Sequence, residues 1–223
     1  VGNALVDIIT VLENDSILDK FGLPRGSMTL VDAGLSKIIY EAVFSESSEM
    51  STGGSVANTM RTLANLGGNG GYLGKIGEDK LGHIFKEAFE KIGIKTHLSF
   101  SGKETGRVMG LVSRDSERTM ATYLGAAAEL TPADFSAEIF QQYQYAYIEG
   151  YLVFNHDLIQ AGVEIAKAAG LKIAIDLASF NVVEDARDIL DELIADFVDI
   201  LIANEDEAKA YTGHSDEDKA LDR

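Results

Sequence analysis

"LKIAIDLASFNVVEDARDILDELIADFVDILIAN", residues 171–204, sets two short, nearly continuous apolar runs on either side of an amphipathic stretch. "LKIAIDLA" and "VDILIAN" read as strands, and "VVEDARDILDELIADF" between them reads as a helix. Strands that are apolar on both faces and separated by helices indicate a parallel sheet covered on both sides. The pattern continues outward. "YAYIEGYLV" reads as a strand, "HDLIQAGVEIAKAAG" as a helix ending on Gly170, and "EDEAKAYTG" as a further helix. Upstream, Thr131 and Pro132 read as an N-cap and a first-turn proline opening a helix in "PADFSAEIFQQ". "HIFKEAFEKIG" places Ile84, Phe85, Ala88, Phe89 and Ile92 on one helical face, closed by Gly93. The fold class expected is α/β, with a doubly wound, mostly parallel, Rossmann-like sheet.

One segment departs from this alternation. "GRVMGLVS" and "RTMATYLG" flank the turn-forming "RDSE", so residues 105–125 read as an antiparallel hairpin. The stretch from Ile9 to Val31 is rich in β-branched residues and turn formers, and is expected to add strands. A small sheet on a parallel core often serves as a lid. The expected organisation is one core over residues 1–223 with a β lid drawn from about 9–31 and 95–125, a surface that also offers a route to a homodimer.

Composition bounds the function. With 19 basic and 36 acidic residues the formal net charge is -17, which repels a phosphate backbone or an anionic membrane, so neither nucleic acid nor membrane is expected as a partner. No apolar run approaches the roughly 20 residues of a membrane span, and no signal peptide is visible. The absence of cysteine excludes disulfides and thiolate chemistry and fits a reducing cytoplasm. The chain contains neither G-x-x-x-x-G-K-[ST] nor G-x-G-x-x-G, which disfavours a P-loop kinase and a nicotinamide dehydrogenase. No G-x-S-x-G elbow is present. His83, His97, His156 and His214 form no metal-binding pair and read as surface or capping residues.

The polar residues at strand ends remain. Glu149, Asp176 and Asn204 each close an expected strand, Glu207 follows Asn204 by three residues, and Asn3 and Asp7 flank the first strand-like run in the same way. Each alone is an ordinary cap or turn former. On one rim of an open parallel sheet they would make a pocket able to grip hydroxyls and hold a metal ion through water. "TGGSVANTMRTLANLGG", residues 52–68, adds paired glycines directly before a helix, where a ligand can approach the main chain closely.

"GGSVANTMRTLANLG" closely resembles the N-terminal signature of the ribokinase-like (PfkB) carbohydrate kinases. Four further segments agree in order: "GNALVD", "GKIGEDKLG" at 74–82, "ERTMATYLGAA" and "NEDEA" at 204–208. The resemblance covers essentially the whole chain and leans toward the adenosine-kinase-like and general sugar-kinase branch. It implies a ribokinase-like fold and ATP-dependent phosphorylation of a hydroxymethyl group on a sugar or nucleoside, with Mg2+. It also implies roles for residues. Asn3, Asp7, Gly53, Gly54 and Asn58 look like contacts to substrate hydroxyls, while Arg118 and Tyr123 would close over the substrate or its phosphate. Asn204 and Glu207 resemble the pair that organises magnesium beside the phosphates. Gly74, Gly77 and Gly82 read as turn and packing glycines, and the choice between cap and ligand stays open for Glu149 and Asp176.

The chain departs from the family in one respect. The D-T-x-G-A-G-D segment, which carries the catalytic base and anion hole of such kinases, is absent from residues 1–223. The fold is therefore expected to be truncated at its C-terminus, with the base beyond Arg223. Two readings stay beside the kinase: a non-catalytic polyol or nucleoside binding module, and an unrelated doubly wound regulator holding magnesium at its strand ends.

Overall fold

The computed structural model describes residues 1–45 and 48–221. Its contacts divide the chain into two compact units, Asn3–Glu129, and Val1–Gly2 with Leu130–Arg223.

The first unit runs β1 (Leu5–Val11), α1 (Ser16–Phe21), β2 (Met28–Leu30), α2 (Ala33–Val43), β3 (Glu49–Gly53), α3 (Ser55–Asn65), β4 (Gly71–Gly77), α4 (Lys80–Lys91), β5 (Lys95–Ser101), β6 (Thr105–Val112) and β7 (Arg118–Gly125). Five strands form a mixed sheet in the order β2-β7-β6-β1-β3. The hairpin β6–β7 forms as the turn signal predicts, but β6 is the middle strand of five, paired with β1 on its other side. Segment 9–31 joins the same sheet through β1 and β2, whereas β5 pairs with β4 in a separate two-stranded sheet.

Register sorts the side chains of the five strands into two faces, because alternate residues point to opposite sides. One face carries Val6, Ile8, Met109, Leu111 and Ala121, all fully buried. The other carries Asp7 in a row with Ser51, Val108, Thr122 and Leu30. The next row on that side is Glu49, Ile9, Gly110, Met120 and Met28. This second face is open. Leu30 is 62% exposed, Met28 44% and Met120 38%.

Beyond the sheet, α4 is capped by Asp79, whose carboxylate accepts from Gly82 N at 2.8 Å and from Thr105 N and Oγ1 at 2.7 Å. One side chain thus starts a helix and anchors the first residue of β6. Phe85 and Phe89, on the face the periodicity predicts, stack on each other and meet the Tyr72 ring at a tilt.

The second unit holds α5 (Ala137–Phe140), β8 (Tyr145–Ile148), α6 (His156–Ala168), β9 (Lys172–Asp176), α7 (Phe180–Asp185), α8 (Arg187–Asp196), β10 (Ile200–Ile202), α9 (Glu205–Thr212) and α10 (Glu217–Leu221). β8, β9 and β10 are parallel in the order β10-β9-β8, as the alternation predicts. Three expected elements are shorter. "PADFSAEIFQQ" is a 3-10 turn at Pro132–Asp134, locked by a Thr131–Asp134 capping box, followed by the single turn of α5. The helix expected over 182–197 breaks at Ala186 into α7 and α8. The strand expected over "YAYIEGYLV" stops at Ile148, and Gly150–Phe154 curls into a 3-10 turn.

Asp176 is the cause of that last break. Its Oδ1 accepts from Gly150 N at 3.0 Å and its Oδ2 from the Tyr147 hydroxyl at 2.9 Å, drawing the chain back over the end of β9. A Cβ at position 150 would come within 3.0 Å of the Asp176 carbonyl oxygen. Gly150→Ala is therefore expected to cost roughly 1–3 kcal/mol of stability through forced backbone displacement. A urea melt measures it; an unchanged midpoint would show that the turn yields freely.

Among the described residues, no helix is long and apolar enough to cross a membrane.

Candidate functional site

The paired glycines end β3 and begin α3. Gly54 caps α3 at φ 99° and ψ 147°, a conformation that residues with a Cβ rarely adopt, and its carbonyl accepts from Asn58 N at 3.0 Å. Gly53 serves a different need. A Cβ there would fall within 3.0 Å of Cγ and both carboxylate oxygens of Asp7 on the neighbouring strand, so the missing side chain leaves the space that Asp7 fills. Burial pushes the Asp7 carboxyl up from the usual carboxylate range, and the Arg61 guanidinium partly draws it back. Arg61, one helical turn beyond Asn58 on α3, donates to the Asn58 side-chain oxygen. The structure thus brings Asp7, Gly53, Gly54 and Asn58 together. It adds Arg61, which sequence reading passed over.

The other expected contacts are placed differently. Asn3 is buried just before β1, and Asp7 lies within β1 rather than at its C-terminal end, in a sheet separate from β8–β10. Glu149, Asp176 and Asn204 lie at or just past the ends of β8, β9 and β10 in the second unit. Arg118 and Tyr123 are not brought together: they are five residues apart on β7, and an odd separation puts them on opposite faces. Arg118 is exposed on the face of Asp7, two rows beyond it. Tyr123 lies on the other face, paired with Arg107, whose guanidinium sits 5.5 Å from the ring centroid. Arg107 is itself buried, donating from Nε to Ser36 at 2.8 Å and pairing with Glu104 at 3.2 Å.

In the second unit, Asn204 and Glu207 form a reciprocal capping box at the start of α9. Asn204 Oδ1 accepts from Glu207 N at 2.9 Å, while Glu207 accepts from Asn204 N at 3.0 Å and from Asn204 Nδ2 at 2.9 Å. The Arg187 guanidinium stacks over Tyr211 at 4.3 Å and donates to the Ala210 carbonyl at 3.4 Å, steadying the far end of the helix. Glu149, Asp176 and Glu207 are all buried. They converge electrostatically on Tyr151, a residue the strand reading gave no role. Burial raises the Tyr151 hydroxyl, a hydrogen bond with Ser179 lowers it, and the three carboxylates raise it further.

Magnesium prefers octahedral oxygen ligation and usually retains several waters. Among the described residues, no group of three or more His, Cys, Asp or Glu side chains could hold a metal ion directly. Both Glu207 oxygens are engaged by Asn204, yet a carboxylate offers about four acceptor positions. The donor set fits a hydrated ion held through water.

Residues 40–223 match the profile of the pfkB family carbohydrate kinases. The chain belongs to that family. The solved adenosine kinase of Sinorhizobium meliloti superposes with a TM-score of 0.86 at 36% identity, over 99% of this chain and 68% of that one. The adenosine kinase of Dictyostelium discoideum is 31% identical over 93% of this chain and 62% of its own length. The ribokinase of Haemophilus influenzae is 29% identical over 78% of this chain and 55% of its own length. The chain spans between 55% and 64% of the length of the curated relatives it matches. The pfkB fold accounts for the mixed α/β architecture with its parallel β8–β9–β10 sheet.

Proposed function

We propose that the chain carries the acceptor side of an ATP-dependent kinase that phosphorylates the hydroxymethyl group of a nucleoside. The observation that carries this reading is the setting of Asp7: one half-buried carboxylate among Val108, Ile9, Leu30, Met120 and Met28 on an open sheet face. A ribose needs acceptors and donors for its hydroxyls, which Asp7, Asn58 and the main chain at Gly53 and Gly54 supply. A purine needs apolar surface, which the rest of that face supplies. A free sugar would leave that surface wet.

Phosphoryl transfer depends on positioning and charge stabilisation, with the metal neutralising charge on the transferred group. In this reading Asn204 and Glu207 orient the water shell of a magnesium ion, Asp7 and Asn58 hold the acceptor, and Arg118 marks the rim of the open face. Residues 1–223 hold no D-T-x-G-A-G-D segment, so the base and anion hole are not assigned to them.

Titration calorimetry with adenosine, inosine and ribose tests the reading. A purine covering about 100 Å² of the apolar face gains roughly 2.5 kcal/mol, so adenosine is expected to bind on the order of fifty- to a hundredfold more tightly than ribose. Equal affinity for ribose and adenosine would move the assignment to a sugar kinase. Tight nucleoside binding with no ADP release from ATP and magnesium in a protein that also carries the D-T-x-G-A-G-D segment would favour the binding module.

A further inference from the structure

We propose that Arg61 is a positioning residue for the acceptor site: it fixes the Asn58 amide as a hydrogen-bond donor beside Asp7, the acceptor. The inference rests on the reading that Asp7 and Asn58 grip the hydroxyls of a nucleoside. Its geometric basis lies within one unit. Arg61 and Asn58 are three residues apart on α3, so their side chains are neighbours on the helix surface, and the Arg61 guanidinium donates to Asn58 Oδ1. Arginine has donors and no acceptor. The atom of Asn58 that meets it must therefore be the carbonyl oxygen, and the Nδ2 hydrogens are the ones left for a ligand. An ionised Asp7 can only accept. A ribose hydroxyl donating to Asp7 and accepting from Asn58 satisfies both, whereas the opposite amide orientation would set two acceptors against one hydroxyl proton and leave one of them without a donor.

Arg61 has a second effect on the same pair. Its charge opposes the burial that raises the Asp7 carboxyl, so it favours the ionised acceptor. The other charged groups nearby do not take that part. On β3, Glu49 lies one row away on the Asp7 face. On β6, Arg107 points to the opposite face. α4 packs against β1 and carries Lys80, His83, Lys86 and Glu87, with Glu90 and Lys91 in its last turn. Arg61 alone among these acts appreciably on Asp7.

The sign of the pH effect follows. Binding needs ionised Asp7 and fails as pH falls through its pKa. Without Arg61, burial acts unopposed, the pKa climbs, and the acid limb of binding moves to higher pH.

The test compares Arg61→Met and Arg61→Lys with the unsubstituted chain. Adenosine affinity is measured by calorimetry across pH, and the Asp7 carboxyl is titrated by carbon-13 NMR in the ligand-free protein. Methionine keeps helix propensity close to that of arginine, so α3 should persist, and a thermal melt checks it. Arg61→Met is expected to weaken adenosine about tenfold, the loss of one charge-assisted positioning bond, and to raise the Asp7 pKa. Arg61→Lys should restore the pKa through its charge while recovering only part of the affinity, because a point charge does not hold the amide as a planar guanidinium does. Unchanged affinity and an unchanged Asp7 titration in Arg61→Met, with binding still weakened in Asp7→Asn, would overturn the role of Arg61 and leave the nucleoside reading standing. No binding of adenosine, inosine or ribose by the unsubstituted chain would overturn both.

Discussion

Asp7→Asn is expected to weaken adenosine binding about 10- to 100-fold, the loss of a hydrogen bond to a charged group, while making the fold more stable at neutral pH. The two effects have one origin. Asp7 occupies a half-buried position in β1, against Gly53 and beside Val108, where burial disfavours its charged form more than Arg61 favours it. A carboxyl whose folded pKa lies above its unfolded one binds its proton more tightly in the native state. Its contribution to stability is full below the unfolded pKa and is lost as pH rises through the raised folded value. At neutral pH the ionised side chain therefore weighs against folding, and an amide of the same shape removes that burden. Thermal melts of the substituted and unsubstituted chains should coincide at acid pH and separate as pH rises, with Asp7→Asn the more stable. Lower stability at neutral pH, or unaltered adenosine affinity, would show that Asp7 is held for packing. A residue kept at a cost to the fold is the pattern expected of a functional site.

Much of the second unit was legible because its signals are local. Parallel strands buried on both faces leave apolar runs such as "KIAID", and the polar residue closing each run marks the carboxyl end of its strand. Asp176 ends β9, and Glu149 and Asn204 follow β8 and β10 closely. What the runs do not reveal is where a tertiary bond interrupts them. The break after Ile148 depends on Asp176 reaching back to Gly150, 26 positions earlier. In the first unit the difficulty is larger, since the site depends on pairing. "GNALVD" and "TGGSVAN" each look like binding segments, but that Asp7 fills the space at Gly53 follows only from the antiparallel register of β1 with β3. Two signals were present and unused. The odd spacing of Arg118 and Tyr123 already separates them onto two faces of a strand, and the spacing of Asn58 and Arg61 already makes them helix neighbours.

Gly53→Ala should lower adenosine affinity about as far as removing Asp7, roughly 10- to 100-fold, although the new methyl group carries no charge and touches no ligand. It should also cost about 1–3 kcal/mol of stability, as overpacking does. The backbone at Gly53 is not in the left-handed region, so alanine meets no conformational penalty there. The conflict is with the Asp7 side chain, because the added Cβ would lie within 3.0 Å of its Cγ and both oxygens. Asp7 must swing away from its native rotamer, and the acceptor leaves the site. Gly54→Ala gives the contrast. Its φ of 99° charges alanine about 1–3 kcal/mol in backbone strain whatever occupies position 7. Double-mutant cycles on thermodynamic stability separate the two mechanisms. Paired with Asp7→Ala, which empties the space, Gly53→Ala should lose most of its cost and show a strong coupling, while Gly54→Ala should remain additive. Additivity at Gly53 as well would mean that this glycine serves the turn alone and that Asp7 is held in place by something other than the space beside it.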